Sequence, residues 1–408
     1  MASSESPSTR TVHAALRKTT ETLASELGRP SGALPDWTEF EWLIARASAA
    51  IHGVSPLLSG TLRWSGPDDW VRFLQDQKQH TARRQHRIDE LLSRIDERAR
   101  STGLAVIALK GAALHAMNLY ADGERPMADL DLLVRAEDIA SAARVLREMS
   151  FHQSEEHWKH RLFVPDAVSS SPRTLGEHAN ADIKIDLHER ICEILPLRMT
   201  EISQFIFPAR LRPGLNAYPS NAALMGHLLL HAAGAMAYRT LRLVNLHDIA
   251  LLSTSMTEAD WAGVVRCSAT AQGPWWAFPP LRLAARYYDM RIPDRVVAAL
   301  NRHCPWWLRR LTARRRLADV SLSYIWVEAF PGIEWAQSVS EAGEYVARRI
   351  WPSEQTLARR KVVPGESFAS TDRWRGLSQG RRILKYTTSR VTRAASIQSV
   401  RCALGQLP

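Results

Sequence analysis

From Asp36 onward the apolar positions fall at helical spacing. In DWTEFEWLIARASAAIHGVSPLL, Phe40, Leu43, Ile44 and Ala47 form one stripe, with Glu and Arg between them. Asp36 suits an N-cap, and Pro56 opens a further turn or helix. A more polar helix is predicted from Asp68–Asp69 to about Arg100, with Val71, Leu74, Ile88, Leu91, Leu92 and Ile95 as its buried stripe. Residues 1–35 are polar and rich in Ser and Thr, and are expected to be a flexible, frayed lead-in to this helical region of residues 36–100.

The period changes at Gly103. LAVIALK is a short apolar run with β-branched residues, the signature of a buried strand. GAALHAMNLY reads as helix, and ADGERP as the turn that ends it. MADLDLLV is the next strand, followed by the amphipathic helix AEDIASAARVLREMS. Residues 151–180 are polar and read as irregular, and ADIKIDLHER returns to strand. This alternation predicts a small α/β unit over residues 101–215. Residues 216–347 are helical again, with Trp275–Trp276 and Trp306–Trp307 expected to fill core. The predicted fold class is α+β: a small mixed sheet flanked by helical regions on both sides in the chain.

Composition narrows the class. With 408 residues, 45% hydrophobic and 23% charged, the chain is neither disordered nor a disulfide scaffold. Cys192, Cys267, Cys304 and Cys402 are far apart without a CxxC pair, which fits reduced thiols in the cytoplasm. No apolar run approaches the roughly 20 residues needed to span a bilayer, so no membrane partner is expected. The net charge of +11 suits an anionic partner. Much of it comes from residues 348–408, a basic tail that either packs as a solvated helix or attracts RNA or an acidic partner.

The segment RPMADLDLLV carries the most chemistry. On a strand, Asp129, Asp131 and Leu133 share one face, and Leu130, Leu132 and Val134 the other. The aliphatic set is the core side, which leaves two carboxylates roughly 7 Å apart on a face not meant for packing. In ADIKIDLHER the same alternation offers Asp182, Lys184, Asp186 and His188 on a polar face. Two carboxylates at i and i+2 with a third from a nearby strand can hold two Mg²⁺ ions roughly 4 Å apart, the arrangement of in-line displacement at phosphorus.

The succession strand, LKGxAL, helix, RPxxDxDLLV, helix, xxDLH resembles the bacterial family of uncharacterised nucleotidyltransferases within the DNA polymerase β-like superfamily. The resemblance is specific over roughly residues 103–190 and looser in the flanks. It implies that Asp129 and Asp131 bind the metals and that Asp186 is the third carboxylate and the candidate base for an incoming hydroxyl. The implied partners are an NTP and an acceptor of unidentified class. Lys110–Gly111 stands where the superfamily usually has Gly-Ser. With Arg125, which precedes Pro126 in the turn, these residues are candidates to hold phosphates. His188 is a further candidate at the nucleotide or behind the acidic residues. A second reading stays open: a catalytically inactive relative that binds nucleotide, RNA or a partner protein through its basic surface.

Other clusters read as structural. His227 and His231 stand at i and i+4 without the Glu of an HExxH motif and are expected to pack between helices. HQSEEHWKH is expected to be an exposed polar segment, and Arg242 and Asp248 a buried ion pair. P-loop, GxGxxG and Gly-x-Ser-x-Gly strings are absent from the sequence.

Overall fold

The computed structural model describes residues 7–167, 174–268, 270, 272–352, 378–388 and 391–406. Four helices precede the first strand: α1 (Thr9–Gly28), α2 (Glu39–Ile51), α3 (Ser55–Thr61) and α4 (Asp68–Ser101). Thr38 caps α2 reciprocally with Glu41, and Pro56 lies in the first turn of α3. The buried residues of α4, Trp70, Leu74, Gln77, Thr81, Arg84, Ile88, Leu91, Ile95 and Ala99, recur every three or four positions along its 34 residues.

The lead-in expected to fray is largely helix. Ser8 caps α1, and Val12, Leu16, Leu23 and Leu27 bury one side of it. The apolar stripe there is thin and completed by Thr19 and Thr20, both fully buried, so the composition hides the periodicity.

The α/β unit follows as β1 (Ala105–Ala108), α5 (Lys110–Ala116), β2 (Asp129–Leu133), α6 (Ile139–Glu148), β3 (Phe151–Glu156), β4 (His160–Pro165), β5 (Lys184–His188), β6 (Cys192–Ile194), β7 (Met199–Glu201), α7 (Ser203–Ile206) and β8 (Gly214–Asn216). Six strands form one mixed sheet in the order β3-β4-β5-β2-β1-β8, and β6 and β7 pair separately. The protein is thus α+β, as its patterning predicts. Residues 151–165 are an edge hairpin rather than irregular chain. Its alternation is masked because only one side of β3 is covered, so Phe151 is the one buried member of a polar strand.

Each face of the sheet has its own core. Leu130, Leu132, Val134, Ile185 and Leu187 pack with α4 and α6 through Ile88, Leu91, Ile95, Val145 and Leu146. The opposite face is not left to solvent, contrary to the expectation from the strand pattern. Ile107 and Leu133 belong to the large helical core, with α8 (Asn221–Ala237), α9 (Leu243–Ser253), α10 (Glu258–Arg266) and α11 (Phe278–Tyr287). The carboxylate face is therefore roofed, and its polar groups sit in a recess between the sheet and α8. Trp275 and Trp276 fill this core, whereas Trp306 is 57% exposed.

Beyond α11, the described residues add helices Asp294–Arg302, Trp306–Arg314, Leu317–Val320, Val339–Ile350, Gln379–Thr388 and Ala394–Ala403. The last of them packs against α1 and α2. Part of the basic tail, including Arg359, Arg360, Lys361, Arg373 and Arg375, lies outside the described residues. No helix among the described residues is long and apolar enough to cross a membrane.

Candidate active site

The position of the acidic residues follows from strand register. β2 and β5 run parallel, with Asp131 opposite Asp186 and Asp129 opposite Lys184. Neighbouring strands lie about 4.8 Å apart, so Asp131 and Asp186 leave the same face side by side. Arg84, buried on α4, fixes this register. Its guanidinium donates to the carbonyls of Met127 and Ala128, just before β2, and of Ala181 and Asp182, just before β5, at 2.6–3.0 Å. One side chain thereby ties the starts of both carboxylate strands.

Asp129, Asp131 and Asp186 line one pocket of about 180 Å³ together with Lys110, Lys159, His160, His188, Glu193, His227 and His231. Lys110 opens α5 with φ of 46°, a left-handed conformation that is costly for a residue with a Cβ. That turn brings its Nζ to 2.8 Å from Asp131 Oδ1. His188 Nε2 reaches the same oxygen at 3.0 Å. Burial alone would raise the Asp131 carboxyl, but Lys110 and the His188 hydrogen bond hold it well below the usual carboxylate range. Burial, followed by the charges of Asp129 and Asp131, pushes Asp186 up to about 7. Asp129 sits at the mouth, where desolvation by the pocket walls and the Asp131 charge also raise its carboxyl.

The rest of the pocket comes from three elements. His160 on β4 pairs with His188 across the β4–β5 ladder, and its Nε2 lies 3.4 Å from Asp186 Oδ2. Burial and the neighbouring imidazoles of His188 and His157 lower His160 to about 3, so it is neutral near pH 7. From β6, Glu193 is buried against Lys159, and Gly234 on α8 makes the space for it: a Cβ there would stand 2.4 Å from the Glu193 carboxyl carbon. α8 contributes His227 and His231, the first held by Tyr218 at 2.7 Å and the second 3.9 Å from Glu193. These two histidines pack between elements as expected, and they also line the pocket.

Gly111 and Arg125 stand beside the pocket in a different arrangement. Arg125 donates through Nε and Nη2 to the two oxygens of Asp248 at 2.8 and 2.7 Å, and Tyr120 donates to the same carboxylate at 2.6 Å. Asp248 thus pairs with Arg125 rather than with Arg242, whose Nε donates to the Ile51 carbonyl. A Cβ on Gly111 would fall 2.2 Å from Arg125 Nη1, so here glycine admits a guanidinium.

All three carboxylates, Lys110 and His188 are therefore gathered in one place, and Arg125 faces the buried Asp248. Lys159, His160, Glu193 and the clamp Arg84 are not legible as site residues in the sequence. His160 lies in the segment expected to be exposed, and only the β4–β5 pairing brings it to the pocket. Arg84 lies on the apolar stripe of α4, where a charged residue at a core position marks a structural clamp.

Among curated proteins, no match to the chain is found. A model of the uncharacterised nucleotidyltransferase family matches residues 38–289, more than half of the chain and all of the pocket just described. The protein belongs to the uncharacterised nucleotidyltransferase family.

Proposed function

We propose that the protein transfers a nucleoside monophosphate from an NTP to an acceptor hydroxyl, with Mg²⁺ as cofactor, at the pocket of Asp129, Asp131 and Asp186. The observation that carries this reading is the parallel register that sets Asp131 beside Asp186, with Asp129 on the same face. The donor set fits the cofactor: carboxylate oxygens are the ligands Mg²⁺ prefers, and three of them crowd one recess. Asp129, Asp131 and Asp186 would hold up to two ions, which when bound neutralise the triphosphate and the departing pyrophosphate.

The remaining roles fall to the chain itself. The acceptor oxygen attacks the α-phosphorus as the bond to the bridging oxygen of pyrophosphate breaks. The acceptor proton passes to Asp186, which stands beside Asp131 on the same face of the sheet. Lys110, anchored on Asp131, presents positive charge to the phosphates. α8 roofs the site and limits water. The acceptor meets the wall of Lys159, His160, Glu193 and His231. One observation favours the second reading, a non-catalytic nucleotide binder: Asp131 Oδ1 already holds both Lys110 and His188.

Calorimetric titration with Mg²⁺ and each NTP tests the proposal. Metal-dependent nucleotide binding that disappears in Asp129→Ala supports it. Absence of such binding in the wild-type protein refutes it.

A further inference from the structure

Beside the carboxylate pair, the pocket contains a group with a different chemistry. His160, Asp186 and His188 each offer one donor atom within 4.8 Å of the other two. They come from adjacent strands, His160 from β4 and Asp186 and His188 from β5, so the sheet itself sets their spacing. We infer that these three residues form a binding site for a divalent transition-metal ion of the Zn²⁺, Mn²⁺ or Co²⁺ class. The inference goes beyond the transfer chemistry, with which it shares Asp186 and the pocket wall at His160.

Distances support the assignment. Metal–nitrogen and metal–oxygen bonds of about 2.1 Å at tetrahedral angles put neighbouring ligands about 3.4 Å apart. His160 Nε2 and Asp186 Oδ2 are already 3.4 Å apart, a separation longer than a good hydrogen bond. The ring centroids of His160 and His188 are 5.1 Å apart and tilted by 56°, so the imidazoles do not stack. His188 also has the setting typical of a ligating histidine. Asp131 can only accept, so His188 donates its Nε2–H to a carboxylate, the partner that ligating imidazoles commonly have.

Two imidazoles and one carboxylate select among cations. Mg²⁺ and Ca²⁺ prefer all-oxygen sites, whereas imidazole nitrogen favours the later first-row metals. A softer ion at His160 and a Mg²⁺ ion at Asp129 and Asp131 would then lie side by side.

Titration of the full chain with Co²⁺, without nucleotide, tests the inference through visible absorption. Wild-type protein should bind Co²⁺ with visible bands, retained in millimolar Mg²⁺ and displaced by Zn²⁺. His160→Ala should weaken Co²⁺ at least tenfold while the far-ultraviolet spectrum and melting temperature stay near wild type, and His160→Gln should behave alike. His157→Ala is the control: its ring neighbours His160 but lies outside the group, and binding should persist. Wild-type protein without Co²⁺ bands, unchanged affinity in His160→Ala, or an equal loss in His157→Ala would each overturn the assignment. Because no NTP is present, a failure here is separable from a failure of nucleotide transfer.

Discussion

Asp131 and Asp186 are direct partners across the parallel β2–β5 ladder, yet their environments drive their carboxyls in opposite directions. Asp131 is held well below its usual range by Lys110 and His188, whereas burial and the two neighbouring carboxylates push Asp186 up to about 7. Two chemically identical side chains therefore have different capacities at neutral pH. Asp131 is a fixed negative charge, and Asp186 can exchange a proton.

Because this pairing depends on strand register, Arg84 should be a positioning residue. Arg84→Met removes a donor from four carbonyls near the starts of β2 and β5, among them the buried Met127 carbonyl, while Ala181 keeps Arg87 Nη1 at 3.1 Å. With ~1–3 kcal/mol at stake for each unsatisfied buried group, the expected loss is about 3 kcal/mol or more. Urea denaturation should show a lower midpoint at unchanged slope, and a loss under about 1 kcal/mol would contradict the clamp.

The Arg125–Asp248 pair is structural in this account. Arg125→Met strands an Asp248 carboxylate that is 1% exposed, and should cost about 3–5 kcal/mol. Replacing both partners, Arg125→Met with Asp248→Leu, should recover much of that loss, because no uncompensated charge remains. A double variant as unstable as the summed singles would argue against the pairing.

Gly111→Ala gives opposite signs in two views of the same residue. Helix propensity alone predicts a gain of up to about 1 kcal/mol. The new Cβ, however, meets Arg125 Nη1 at 2.2 Å and Met127 Sδ at 2.8 Å, and Asp248 prevents the guanidinium from moving away. Thermal melting should therefore show destabilisation of ~1–3 kcal/mol, diminished in an Arg125→Met background.

His52 makes stability depend on acid. Its Nδ1 accepts from the Leu243 amide and its Nε2 lies 2.9 Å from Ser323 Oγ, so the ring is neutral; protonation would set two N–H groups against each other. Burial, then Arg242, lowers the ring to about 3. The unfolded chain, with His near 6.5, binds the proton first, so this contribution is complete above about pH 6.5 and falls as pH drops toward about 3. The His52 share of the slope should approach about 1.4 kcal/mol per pH unit, so the slope should be shallower by that amount in His52→Gln, as measured by denaturant midpoints between pH 7 and pH 5. An equal slope in the variant would place the proton uptake elsewhere.

Legibility in the sequence followed the strength of local pattern. Strand β2 and the face shared by Asp129 and Asp131 could be read because aliphatic and acidic residues alternate strictly there. Whether that face met solvent depended on α8, about ninety residues later, and Leu133 alone was a weak sign of a covering layer. The hairpin of residues 151–165 was missed because an exposed edge strand needs few apolar residues. Arg125 looked free for phosphate because its partner, Asp248, is distant in sequence, and no local pattern reveals a pair closed by the fold. His160 was passed over for the same reason: its neighbours Asp186 and His188 meet it only through sheet pairing.

The most direct test of the central claim is transfer of label from α-³²P-NTPs, presented as a mixture with Mg²⁺ and cell extract as the source of acceptor. Acceptor labelling by wild-type protein should fall by a factor of about 10³ or more in both folded variants, Asp131→Asn and Asp186→Asn. Labelling that persists in either variant, or its absence with wild-type protein and every NTP, would contradict a transfer site built on these two strands.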